Sequence, residues 1–202
     1  MNPFRWPFRT AGDDWFSVGR ASSFPDVALF EGSLAQSTPP VPCADRSSGH
    51  AAPCRVFQVP EGDPDGATEV VLGSDETQVP TIGSGLKDQV LVFQYKGKFH
   101  AIDHKCPHSS YPLSQGTVFD IEDFGIVLSA GLTCPKHGWS FDLFTGTADR
   151  GNYKLGVWEV QLRDAAARAE NPTTSTSELQ GTTQQPEWAD KEVWVRRRRR
   201  MG

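Results

Sequence analysis

Four residues in two short segments stand out for their chemistry. Cys106-Pro107-His108 offers one thiol and one imidazole. Cys134-Pro135-Lys136-His137 offers a second such pair, with 25 residues between His108 and Cys134. Two mixed loops of this kind suit a binuclear iron–sulfide centre. The two sulfurs take one iron, the two imidazoles take the other, and two sulfides bridge them. Two ferric ions and two sulfides sum to plus two, so two thiolates bring the oxidised centre to zero, whereas four would leave it at minus two. Imidazole in place of thiolate therefore makes an added electron easier to accept. A single zinc held by two Cys and two His is the alternative. Zinc fingers, however, place Cys with Cys (C-x₂₋₄-C) and His with His (H-x₃₋₅-H), whereas here each segment mixes the two.

The segments around these residues read as strands and turns. Strand patterns cover Trp15 to Arg20, Arg55 to Val59, Val90 to Tyr95, Phe99 to Asp103, Ile126 to Leu128, Trp139 to Leu143, Val157 to Arg163 and Glu192 to Val195. Lys96-Gly97-Lys98 predicts a tight hairpin turn, because Gly97 can take the positive φ that such a turn requires. In Val157 to Arg163, Trp158, Val160 and Leu162 share one face, while Glu159, Gln161 and Arg163 share the other. Each of the two Cys/His segments follows a strand and holds a proline, which fixes φ and stiffens a loop. Gly138 lets the backbone approach whatever the loops hold, and its neighbourhood can supply N–H donors to the sulfurs.

The sum is an all-β chain, a single domain over residues 15–196 after an N-terminal segment 1–14. Inserts lie at about 31–53, 60–87 and 165–186, with a short helix expected over Ala165 to Glu170, and a basic tail occupies 197–202. The 202 residues, 37 % of them hydrophobic, suffice for one compact domain with decorations. The 19 glycines and 15 prolines favour turns and loops. A net charge of −5 speaks against a nucleic-acid binder. No apolar run has transmembrane length, and Met1 to Thr10 lacks the apolar stretch of a secretory signal. The expectation is a soluble cytoplasmic protein, with nuclear or mitochondrial placement left open.

The pattern Cys106-Pro-His108 together with Cys134-Pro-Lys-His137-Gly-Trp-Ser-Phe-Asp, then Phe144-Thr-Gly146, resembles the Rieske family. Pro112-Leu113 and Gly116 fit as well. The resemblance covers about residues 86–163 and is most like the small soluble Rieske proteins of ferredoxin type. It implies an antiparallel β base domain carrying a small cluster-binding subdomain, about 104–146, with two ligand loops. It implies one [2Fe–2S] cluster, held by Cys106, His108, Cys134 and His137. It also implies a one-electron carrier between a separate flavin- or nicotinamide-dependent reductase and an acceptor redox protein. A small Rieske subunit of a larger reductase or oxygenase complex, and the zinc-binding module, are the competing readings.

Three departures from the family pattern stand out. The interval between the loops is long, with the excess at Asp120 to Gly125, which is harmless if it extends a hairpin. Ser109-Ser110 and Lys136 stand where respiratory-type members have disulfide-forming cysteines. Trp139 replaces a serine found in high-potential members. Oxygenase catalysis within the chain is not expected, since a mononuclear iron needs histidines and a carboxylate and no histidine follows His137. Gly83-Ser-Gly85 lacks the third glycine and the helix of a dinucleotide site.

The remaining reactive residues read plainly. Cys43 and Cys54 are spare thiols, His104 an exposed loop histidine, His100 a strand residue, and Arg196 to Arg200 a solvated basic run. Lys105 and Lys136 beside the ligands would attract an acidic partner, while Asp120, Glu122 and Asp123 would repel it. The sequence does not decide between them.

Overall fold

Strands of valine, leucine and aromatic residues, separated by turn residues, close into three antiparallel sheets in a computed structural model that describes residues 14–35, 53–60, 66–70, 85–164 and 190–198. The strands are β1 (Phe16–Arg20), β2 (Cys54–Gln58), β3 (Thr68–Val70), β4 (Gln89–Tyr95), β5 (Lys98–Asp103), β6 (Thr117–Asp123), β7 (Ile126–Cys134), β8 (Trp139–Asp142), β9 (Trp158–Asp164) and β10 (Lys191–Arg197). The sheet orders are β1-β10-β9, β3-β2-β4-β5 and β6-β7-β8. The helical elements bounded within the described residues are short 3₁₀ turns at Ala21–Ser23, Val27–Phe30 and Leu113–Gln115. None is long or apolar enough to cross a membrane.

The middle sheet is buried on both sides, and β4 shows why its sequence is a continuous apolar run rather than an alternating one. Val90 and Val92 join Phe16, Val18, Phe24, Val193 and Val195 in one core. Leu91, Phe93 and Tyr95 point the other way, to a second core with Leu113, Val118, Leu132, Phe141 and Leu155. In β5, Ala101 and Ile102 divide in the same manner. The first core lies toward the β1-β10-β9 sheet and the second toward β6-β7-β8, so the loops that carry the Cys/His segments emerge from the second.

Two tight turns set registers. The β4–β5 turn places Lys96 at φ 48° and Gly97 at φ 75°, the pair of positive values of a type I′ hairpin. The Asp26 carboxylate accepts from Lys96 N at 2.9 Å and Gly97 N at 2.8 Å, which pins that turn to the 3₁₀ segment. The β6–β7 turn uses Phe124 and Gly125 in the same way, at φ 48° and 77°. The long inter-loop interval is therefore an extended hairpin, in which β6 pairs with β7 from Thr117↔Thr133 to Asp123↔Ile126.

Some expectations are modified. β6 was not anticipated as a strand, and β3 lies inside the span taken as the second insert. Leu162, expected on the inner face of β9 with Trp158 and Val160, is 38 % exposed. The face turns toward solvent as the strand proceeds. The short helix at Ala165 to Glu170, Cys43, most of the first and second inserts, all of the third, and Arg199-Arg200 lie outside the described residues.

Candidate metal centre

Two hairpin-like loops build the site, and their backbones explain their rigidity. The first leaves β5 at Asp103 and is closed on itself. Cys106 N donates to Tyr111 O at 2.9 Å, Ser110 N to Cys106 O at 2.9 Å, and Leu113 N to His104 O at 2.8 Å. The second is the β7–β8 connection, where Cys134 stands opposite Trp139 in register and Pro135 to Gly138 form the turn. Gly138 N donates to Cys134 O at 3.0 Å. Gly138 has φ 66°, and a Cβ there would meet no protein atom within 4 Å. The turn therefore requires glycine for its positive φ, and the space beside Gly138 is open on the protein side.

All four expected donors meet between these loops. Cys106 and Cys134 are buried and share a hydrogen bond that holds the Cys106 thiol down to about 5, while the same bond and burial push Cys134 well up. A metal would take both sulfurs as thiolates. The Ser109 hydroxyl lies 3.8 Å from Cys134 Sγ and links the two loops. On the outer side, His108 and His137 present their Nδ1 atoms to each other at 3.4 Å. His137 is exposed and His108 half-buried. The donors stand as a thiol pair and an imidazole pair. Among the described residues no three His, Cys, Asp or Glu side chains close on one point as the ligands of a single ion would.

A third segment completes the walls. After β8 the chain turns at Asp142, whose Oδ1 accepts from Phe144 N and Thr145 N, and the Phe144-Thr-Gly146 stretch is that turn. The loop then returns Arg150 and Tyr153 to the site. Trp139 stacks on His108 with ring centroids 4.4 Å apart and planes 22° from parallel. Tyr153 meets both rings edge-on, at 5.2 and 5.1 Å. Arg150 lies over Trp139 and donates to Gly138 O at 2.5 Å. Sequence reading took Trp139 only as a lost hydroxyl. It could have been suspected as a packing partner, since it follows His137-Gly138 directly. Arg150 and Tyr153 sit in a non-periodic stretch that gives no such signal.

His104 differs from expectation. It is buried, not exposed. Its Nδ1 donates to Gln89 Oε1 at 2.8 Å, and its Nε2 accepts from the Ser114 hydroxyl at 2.9 Å. Burial depresses its pKa to about 4, so it is neutral at physiological pH. It therefore bolts the root of the first loop to β4 and to the Leu113–Gln115 turn. His100 is a buried strand residue stacked on Phe93. Cys54 is a buried thiol near Leu34 O, 3.4 Å away, pushed up to about 12 by burial, and stands apart from the donor set.

Comparison with known proteins bears on the same region. The Rieske [2Fe-2S] domain family matches residues 54–156. Apoptosis-inducing factor 3 of Mus musculus is 42 % identical over 59 residues, which is 29 % of this chain but only 8 % of that one. The 3-phenylpropionate/cinnamic acid dioxygenase ferredoxin subunit of Photorhabdus laumondii is 30 % identical over 95 residues, 47 % of this chain and 67 % of its own. Among solved structures, a putative NADH-dependent nitrite reductase small subunit from Mycobacterium tuberculosis aligns with a TM-score of 0.36 and 18 % identity, covering 55 % of this chain and 74 % of that one.

Proposed function

The chain belongs to the Rieske [2Fe–2S] domain family and is an electron-transfer protein with a [2Fe–2S] cluster as cofactor; from that premise we propose that Cys106, His108, Cys134 and His137 are the ligands. The observation that carries the assignment is the pairing of the donors: two buried thiols side by side, and two imidazoles side by side beyond them. A binuclear centre with one sulfur-ligated and one histidine-ligated iron calls for that division. A lone zinc would need all four donors around one point. When bound, the cluster supplies a one-electron couple at a potential raised by its histidine ligation.

The chain's own residues set the conditions for that couple. Burial of both sulfurs excludes water from one side of the site. The Ser109 hydroxyl is placed to donate toward Cys134 Sγ, which favours the more negative, reduced state. Trp139 and Tyr153 hold the His108 ring by its face and edge, so that ring has little freedom to reorient. His137 carries no such cover and is the more open of the two imidazoles, which makes it the natural contact for an approaching partner.

The finer reading is that the chain shuttles single electrons from a separate flavin- or nicotinamide-dependent reductase to an acceptor oxidoreductase. Support comes from the ferredoxin-subunit relative and from the chain's lack of a third-glycine dinucleotide motif or any histidine after His137. The test is direct. Protein purified from iron-replete cells is analysed for iron, acid-labile sulfide and zinc, with visible and EPR spectra. Iron and sulfide in equal amounts are expected, lost in Cys106→Ala, His108→Ala, Cys134→Ala and His137→Ala. Stoichiometric zinc without sulfide would overturn the assignment.

A further inference from the structure

The chain is acidic overall, at −5, yet the surface around its ligand loops is not. We infer that a basic groove beside the first ligand loop is the docking site for an acidic segment of a partner redox protein; this rests on the electron-carrier reading above.

The groove has a volume of about 760 Å³ and runs between the base sheets and the first loop. It reaches Pro107, the residue between Cys106 and His108, so whatever fills it lies against the site. Leu86, Val157 and Trp158 give it apolar walls, and Lys105, Lys154 and Arg198 line it from three different chain segments.

The balance of charges decides its sign. Five cations line the groove against three carboxylates: Asp88 is paired by Arg197 at 3.2 Å and by Lys87 at 3.9 Å, Asp103 accepts from Trp158 Nε1 at 2.8 Å and keeps its charge, and Asp14 also has a partner. Lys105, Lys154 and Arg198 make no ion pair or side-chain hydrogen bond among the described residues. Lys136, on the second ligand loop, is exposed with its ammonium over the Tyr111 ring, adding a cation of the same sign. The Asp149 carboxylate, on the loop that brings Tyr153 to His108, is paired by Arg150 at 3.2 Å. The acids that left the sign undecided in the sequence run away from Cys134 along β6. Asp120 is bonded to Lys96 and Tyr95. Asp123 pairs with Ile126, eight residues up β7 from Cys134, roughly 26 Å at about 3.3 Å per residue. That exceeds the Debye length of about 8 Å at physiological salt.

A protein segment fits better than a small anion. The cations are spread along the groove on separate segments instead of converging, and the apolar walls suit side chains of a peptide. Desolvated apolar contact framed by complementary charge is the ordinary composition of a steered interface.

The test uses the holoprotein, reduced and then oxidised in a stopped-flow by hexacyanoferrate(III), an anion, or tris(phenanthroline)cobalt(III), a cation, over a range of ionic strength. If the groove governs approach, the hexacyanoferrate rate falls as salt rises, despite the net negative charge. Lys105→Glu, Lys154→Glu and Arg198→Glu combined lower it about tenfold at low salt. Arg198→Glu alone, outside both ligand loops, shifts it in the same direction with iron and sulfide content unchanged. An oligoglutamate peptide competes and binds the parent by calorimetry, while the triple variant does not bind it. A hexacyanoferrate rate that rises with salt overturns the proposal. So does competition by inorganic phosphate, at matched ionic strength, equal to that of the peptide. Protein lacking iron and sulfide but still binding the peptide would fault the electron-carrier reading and leave the basic groove standing.

Discussion

Replacing His104 by leucine is a sharp test of how the site is held. The two side chains are close in volume, so the change removes hydrogen bonds more than packing. In the parent, His104 joins Gln89 and Ser114, and all three residues are buried. Leucine leaves the Gln89 amide and the Ser114 hydroxyl without partners. An unsatisfied buried polar group costs about 1–3 kcal/mol, so the pair costs about 2–6 kcal/mol. That is a large share of a domain's usual stability of about 5–15 kcal/mol. Urea unfolding followed by tryptophan fluorescence measures the loss. Because His104 roots the first ligand loop, the visible absorbance of the cofactor should also fade faster in the variant under chelator challenge. Adding Ser114→Ala removes one orphaned group, so the double variant should recover about 1 kcal/mol relative to the sum of the single changes. A His104→Leu protein within about 0.5 kcal/mol of the parent, with cofactor loss unchanged, would show that the network does not hold the loop.

Other outcomes follow from single contacts. Ser109→Ala should lower the midpoint potential by roughly 40 mV, the equivalent of about 1 kcal/mol at 59 mV per tenfold for one electron, in a redox titration where Ser109→Thr stays near the parent. The parent midpoint itself should lie nearer about −150 mV than about +300 mV, because Trp139 offers no hydroxyl and the loops carry no disulfide cysteines. His100 has its pKa depressed to about 4 by burial. Its neutral form therefore stabilises the fold fully above about pH 6.5, and that contribution, about 3 kcal/mol, is lost as pH falls from 6.5 toward 4. His100→Phe should flatten this part of a stability–pH curve from urea melts. Cys54→Ala should leave iron and sulfide content unchanged and cost about 1 kcal/mol of stability, since the thiol bonds to Leu34 O and not to the donors; loss of cofactor would place it in the site.

The donor set was legible because its chemistry is local: each loop is a few residues long, and thiol–proline–imidazole order survives any fold. The strands β4, β5 and β8 were equally legible from apolar runs bounded by glycine turns. β6 escaped because Asp120, Glu122 and Asp123 are poor strand formers, and because a Phe-Gly turn with Phe124 at positive φ is not a recognised turn signal. What makes it a strand is its pairing with β7, a non-local cause. His104 was misjudged for a similar reason. Its sequence neighbours are polar, and the two residues that bury and satisfy it lie 15 positions before and 10 after it. Tyr153 reaches the His108 ring, and Arg150 the Trp139 ring stacked on it, only because the Asp142 turn reverses the chain.

The placement of β4 in two cores at once has a consequence for motion. A strand that lines only one core can open with its own layer while the other persists. β4 cannot, because Val90 and Val92 belong to one side and Leu91 and Phe93 to the other. Its amides should be among the slowest to exchange with deuterium, at a rate set by global unfolding, whereas those of the β6–β7 turn at Phe124 should exchange early. The layer that holds the cofactor and the layer that supports it are therefore expected to melt as one cooperative unit, with the first redox loop inheriting its rigidity from β4 through His104 and Gln89.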